Sequence, residues 1–108
     1  MNIEEIRDYA LAFDDASESF PFGNDTLVFK VGNKIFLLAS LASEVLQFNV
    51  KCDPEYAIEL REQYSSIVPG YHMNKRHWNT IIVDGTSTTA QLKGFIKDSY
   101  SLVAGKRK

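Results

Sequence analysis

Leu27-Val28-Phe29-Lys30-Val31-Gly32-Asn33-Lys34-Ile35-Phe36-Leu37-Leu38-Ala39 is the stretch that decides the fold. Two runs rich in β-branched and aromatic residues flank Gly32-Asn33, a two-residue link whose tolerance of positive φ suits the tight turn of a hairpin. Ile35 to Leu38 is apolar on both alternating faces, which marks a central strand covered on both sides. Outward from this hairpin, Val45 to Lys51 alternates, with Val45, Gln47, Asn49 and Lys51 on one face and Leu46, Phe48 and Val50 on the other. That pattern predicts a half-exposed antiparallel neighbour.

Helices bracket these strands. Ile3, Ile6, Ala10 and Phe13 recur at three- and four-residue intervals, so residues 3 to 13 read as an amphipathic helix with Glu4, Glu5 and Asp8 toward water. Ser17 to Phe22 reads as a short extended piece, closed by the turn Gly23-Asn24-Asp25. Asp53-Pro54-Glu55 opens a second helix over residues 54 to 64: a capping oxygen, a proline whose missing N–H costs nothing, and an acid at the positive end of the dipole. Ile67-Val68 is a brief strand, Pro69-Gly70 a turn, and His77 to Asp84 a further strand. Ser87 or Thr88 caps a last helix in which Leu92, Phe95, Ile96, Ser99, Leu102 and Val103 trace one stripe, with Lys93 and Lys97 opposite. The order predicts an α+β sandwich, an antiparallel sheet with helices packed on one face.

Length and composition agree with a single domain over residues 1–108, ending in a frayed tail at 105–108. A chain of 108 residues with 44% hydrophobic residues and 13 aromatics (Phe 7, Tyr 5, Trp 1) can build a core without staples. The single cysteine, Cys52, has no partner for an internal disulfide. No apolar run reaches the ~20 residues that span a bilayer, and the acidic start Met1-Asn2-Ile3-Glu4-Glu5 is unlike a signal peptide. A cytoplasmic, monomeric protein without membrane contact or cofactor is therefore expected. The net charge of −2 conceals an imbalance: residues 1 to 66 hold 12 acids and 5 bases, residues 67 to 108 hold 2 and 7. A basic half that is contiguous in space would attract polyanions; halves that neutralise one another across the fold would not.

The densest group of functional residue types is Tyr71, His72, Lys75, Arg76, His77 and Trp78. The cations suit phosphate, and the aromatics can stack on bases or cover sugars. This group lies in IVPGYHMNKRHWN, residues 67 to 79, which together with Thr80 to Gly85 closely resembles the signature of the MmcQ/YjbR family. Phe29-Lys30-Val31-Gly32, Asn49-Val50-Lys51-Cys52-Asp53-Pro54 and the terminal Ser99-Tyr100-Leu102-Val103 resemble it too, so the likeness covers nearly the whole chain. It implies a frataxin-like (CyaY-like) sandwich and a DNA-binding function, in some descriptions through a double-wing arrangement of hairpins. The nucleic-acid contacts expected on that basis are Tyr71, His72, Lys75, Arg76, His77, Trp78, Lys30 and Lys34, with Lys93 and Lys97 in support.

Bland readings stand beside each of these. Alternation sets Trp78, Thr80 and Ile82 on one face and His77, Asn79, Ile81 and Val83 on the other. If Ile81 and Val83 mark the inside, Trp78 points out and favours binding; if Trp78 is inside, it is a core anchor. A pocket wall formed by Tyr71 to Trp78 would instead suit a small ligand or a protein partner. His72 and His77 with Cys52 match no standard metal spacing, and no oxyanion loop or orienting acid accompanies a Cys–His pair. Cys52 reads as a small apolar residue. No phosphate loop, nucleophile elbow or dinucleotide fingerprint is present, so no catalytic residue is assigned. Glu4, Glu5, Asp8, Asp14, Asp15 and Glu18 could hold a hard cation weakly, as frataxin-like proteins do, but read more simply as a solvated face.

Overall fold

Strands β2 (Thr26–Val31) and β3 (Lys34–Ser40) form the hairpin in the computed structural model, which describes residues 1–70 and 73–105. Val31 lies opposite Lys34. Gly32 alone of the two linking residues takes positive φ, at 61°, a region where a Cβ is strained and glycine is not. Four more strands extend the sheet: β1 (Ala16–Ser19), β4 (Gln47–Lys51), β5 (Ile67–Pro69) and β6 (Trp78–Ile82). Their order is β1-β2-β3-β4-β6-β5, and every neighbouring pair is antiparallel.

Three helices, α1 (Ile3–Leu11), α2 (Pro54–Gln63) and α3 (Thr89–Ala104), cover one face. Their local signals are those of the sequence. Asn2 and Glu5 form a capping box on α1, Asp53 accepts from the Tyr56 N–H ahead of Pro54 on α2, and Thr88 and Gln91 cap α3 reciprocally. Ile6 and Ala10 of α1, Ala57 and Leu60 of α2, and Leu92, Ile96 and Val103 of α3 join Leu27, Phe29, Leu37, Phe48, Val50 and Ile81 in one buried core. The fold is α+β, a six-stranded antiparallel sheet with its helices on one side. None of the described helices is long and apolar enough to cross a membrane.

The boundaries of β1, β4, β6 and α1 differ most from expectation. The first strand ends at Ser19 because the chain turns at Phe20, whose carbonyl accepts from the Gly23 N–H. The strand of β4 starts at Gln47, leaving Val45 exposed, and β6 is confined to Trp78–Ile82. Helix α1 stops at Leu11, yet Phe13 still reaches the core and stacks on Tyr100 with ring centres 4.4 Å apart. Leu102, read as part of the α3 stripe, is 48% exposed. Leu92, Ile96, Ser99 and Val103 follow the 3.6-residue period down the centre of the stripe, and Leu102 falls on its flank.

The polar interruption in that stripe, Ser99, is fully buried. Its hydroxyl donates to the Phe36 carbonyl at 2.6 Å and accepts from the Lys51 N–H at 2.8 Å, tying α3 to β3 and β4 at once. Phe36 is also where the β2–β3 register slips: Phe29 faces Leu37 and Lys30 faces Ile35, so Phe36 is the extra residue of a bulge. Phe36 and Leu37 therefore both enter the helix-side core, and Ile35 and Leu38 go to the opposite face.

Candidate functional site on the open sheet face

The face away from the helices has a second, smaller buried cluster. Trp78, 8% exposed, packs with Val28 and Leu38, and Ile35 and Met73 lie against them. Both expected orientations of Trp78 are thus half realised. Ile81 does mark the main core, so Trp78 points to the other face, but there it is covered and keeps little ring surface for a partner. Gly70 packs tightly against this residue: its N–H donates to the Trp78 carbonyl at 2.9 Å, and a Cβ on it would stand 3.0 Å from the Trp78 Cβ.

The turn leading into β6 is held by an arginine that the sequence did not single out. Arg61 of α2 donates through Nε to the buried Asn79 Oδ1 at 2.6 Å, and through its terminal nitrogen to the carbonyls of Lys75 and Trp78. Within the turn, Arg76 N–H donates to Asn74 Oδ1 at 3.0 Å and His77 N–H to the Asn74 carbonyl. The His77 carbonyl in turn accepts from the Cys52 N–H at 2.7 Å. Lys75 and Arg76 are exposed at the tip and His77 is half-buried. Tyr71 and His72 lie outside the described residues.

The remaining cations divide between the two sides. Lys30, opposite Ile35, belongs to the open face, whereas Lys34, opposite Val31 whose side chain is in the main core, belongs to the other side of the pleat. Lys30 and Lys34 therefore do not form one patch. Lys51, opposite Trp78, takes the place on the open face expected for a partner of Lys30. Lys93 and Lys97 sit on α3 behind the sheet, and the Lys93 ammonium lies 5.4 Å from the centre of the Tyr9 ring.

Beside the Trp78 cluster the open face hollows into a cleft of about 660 Å³. Sheet register builds its floor. One row across the strands runs Val28, Leu38, Asn49, Thr80 and Val68; the next runs Thr26, Ser40, Gln47 and Ile82. Leu38, Val68, Met73 and Phe22 supply its apolar walls, and Thr26, Ser40, Ser43, Gln47, Asn49 and Thr80 its polar surface. Among the described residues, no Asp, Glu, Lys or Arg lines it. Thr80 Oγ1 donates to Asn49 Oδ1, Gln47 Nε2 donates to Ser43 Oγ at 2.7 Å, and Ser43 Oγ lies 3.0 Å from Ser40 Oγ. Phe22, on the rim, is 64% exposed. Alternation in β4 announced that Gln47, Asn49 and Lys51 share a face, but the enclosure of Gln47 and Asn49 depends on Phe22, Val68 and Met73, distant in sequence.

The other candidate groups stay apart. Cys52 is buried, and burial together with Asp53 and Asp98 pushes its thiol up to about 11, which keeps it protonated and unreactive. Of the acidic residues, Glu5 serves the α1 cap and Glu18 forms a two-point ion pair with Arg7, which holds the Glu18 carboxyl below its ordinary range. No group of three or more His, Cys, Asp or Glu that could hold a metal forms among the described residues.

Comparison with known proteins agrees with this architecture. The chain is 43% identical to the uncharacterized protein YbdF of Escherichia coli O157:H7 over 84 residues, covering 78% of this chain and 69% of that protein. It is 30% identical to the uncharacterized protein YjbR of Escherichia coli K12 over 100 residues, covering 93% and 85%. Among solved structures, a Deinococcus radiodurans protein with the domain DUF419 superposes with a TM-score of 0.92 at 37% identity, covering 99% of this chain and 81% of that one. A Pseudomonas syringae protein follows at 0.81 and 28%, covering 95% and 99%. With the YjbR family model matching residues 11–102, the chain belongs to the YjbR family.

Proposed function

We propose that this domain is a non-catalytic nucleic-acid-binding module, DNA being the partner its family likeness suggests, and that it takes the phosphate backbone at the hairpin end of its open sheet face. The observation carrying this reading is that Lys30 and Lys51 point to that face at the end where the Arg61-held turn presents Lys75 and Arg76. Cations on a fixed turn and on paired strands meet phosphates with little ordering cost. Trp78 serves as the anchor beneath them rather than as a stacking surface. The protonated Cys52 and the absence of a nucleophile–base pair among the described residues favour binding over chemistry. Asp15, whose carbonyl accepts from the Gly32 N–H, and Asp53, two residues after Lys51, belong to the same end, so the field is mixed and the affinity modest.

Titration of labelled single-stranded and duplex DNA at low and high salt tests this. Four phosphate contacts to a single strand correspond to a slope of about −2.8 in log affinity against log salt, at about 0.7 per contact. Lys75→Ala/Arg76→Ala should weaken binding about tenfold or more and flatten that slope by roughly half. Absence of binding at low salt, or binding unchanged in the double variant, defeats the assignment.

A further inference from the structure

The cleft beside the cationic end is chemically unlike it, and the phosphate contacts leave it unused. Its volume of about 660 Å³ falls within the roughly 300–1,000 Å³ of small-molecule sites, which are apolar with a few polar groups that fix orientation. The geometry points to a site for an uncharged nucleobase, carried either by a free nucleoside or by an unpaired residue of a strand. In the strand-borne case it rests on the nucleic-acid reading; in the free case it stands alone.

Three observations support this ligand class. First, none of the described residues lining the cleft is ionised, so a charged ligand would lose hydration without a counter-charge from them. Second, the floor is pre-oriented. Asn49 Oδ1 is engaged by Thr80, so its amide nitrogen is left to donate; Gln47 Nε2 is engaged by Ser43, so its amide oxygen is left to accept. Asn49 and Gln47 are two residues apart on one strand and point to the same face, presenting a donor beside an acceptor. An edge carrying acceptors and donors is what a nucleobase offers, and a donor on one side chain beside an acceptor on the next can meet it. Third, Phe22 keeps 64% of its surface exposed at the rim, and Met73 and Leu38 form the wall leading to Trp78. An aromatic ring left open beside a polar floor is a stacking surface that folding itself does not use.

Trp78 is the only tryptophan and packs in the same cluster as Leu38 and Met73, so its emission reports occupancy of the cleft. Adenosine, guanosine, cytidine and uridine would be titrated against the full chain, followed by Trp78 emission and by the NMR shifts of the Asn49 and Gln47 side-chain amides. Short unpaired oligonucleotides form the second arm. At least one nucleoside should bind saturably, with affinity unchanged between low and high salt. Asn49→Ala should weaken it about tenfold, and Ser43→Phe, in the loop after β3, should block it by filling the cleft. Lys75→Ala/Arg76→Ala should leave it within about twofold.

If no nucleoside or oligonucleotide shifts the Asn49 and Gln47 amides, or if Asn49→Ala and Ser43→Phe chains with wild-type circular dichroism bind as well as wild type, the inference falls. Oligonucleotide binding that is lost in Lys75→Ala/Arg76→Ala but untouched by Ser43→Phe, with no nucleoside bound, also overturns it, while sustaining the phosphate reading. Nucleoside binding without oligonucleotide binding does the reverse, and identifies the free nucleoside as the source.

Discussion

The two faces of the sheet are made by the same strands and have opposite characters. On the helix side, Phe29, Phe36, Leu37, Phe48 and Ile81 are fully buried, and even the polar Ser99 and Asn79 are enclosed. On the other side, the buried cluster among the described residues is Val28, Leu38 and Trp78, beside a cleft lined by uncharged described residues with lysines at one end. The difference teaches that period-two alternation divides the labour of each strand: one set of side chains holds the domain together, and the other is largely free to recognise something. The Phe36 bulge sharpens the division by sending two consecutive residues inward.

Substitutions can break this comparison, beginning with the largest effect. Phe48→Ala on the helix side should cost about 3–5 kcal/mol in denaturant unfolding, since a fully enclosed ring leaves a cavity. Arg61→Ala, at the boundary between the faces, should cost about 1–3 kcal/mol, because Asn79 loses the partner of its Oδ1 and two turn carbonyls lose a donor. Hydrogen exchange in residues 75 to 78 should speed up in this variant, and DNA affinity should fall with it; unchanged exchange would show that the turn is held by other means.

A pH experiment probes the helix side without touching its packing. The Cys52 thiol sits at about 11 against 9.0 for an ordinary cysteine, so the fold binds this proton more tightly than the unfolded chain does. The associated stability is fully present below pH 9 and is lost as pH rises toward 11, by at most roughly 2 kcal/mol. Unfolding free energies measured across that window should decline less steeply in Cys52→Ala than in wild type; parallel curves would sink the assignment. Smallest is Thr80→Val on the open face, which should alter stability by no more than about 0.5–1 kcal/mol, and yet perturb nucleoside binding by freeing the Asn49 oxygen. A cost as large as that of Phe48→Ala would erase the distinction between the faces.

Legibility in the sequence tracked the range of the interactions involved. The Gly32-Asn33 turn, the Asp53-Pro54 cap, the Thr88 cap and the alternation of β4 and β6 are local, and each formed where the residues indicated. Pairing of β6 with β4 depends on contacts such as Gln47 with Ile82 and Lys51 with Trp78, which are too far apart along the chain for any short window of sequence to display. Trp78 shows the same limit: alternation assigned its side, but its burial depends on Val28, Leu38 and Met73, contributed by three other segments. Arg61 looked like one more charge on a solvated helix because its partners, Asn79 and the carbonyls of Lys75 and Trp78, lie beyond the next strand. The cleft was invisible for a related reason, since its residues are ordinary polar types that become a site only through register.

Strand β5 is one of the two edges of the sheet, β1 being the other. Ser66 and Gly70 turn their hydrogen-bonding groups inward to β6, through the Ile82 N–H and the Trp78 carbonyl. The intervening N–H groups that would face outward are both out of use: Ile67 donates to the Tyr64 carbonyl at 3.2 Å, and Pro69 has none to offer. A sheet edge recruits strands from other chains by its unpaired donors and acceptors, and proline is a recurrent means of blunting it. Along this border neither Ile67 nor Pro69 therefore has a backbone donor to offer an incoming strand, which blunts β5 as a template for strand addition.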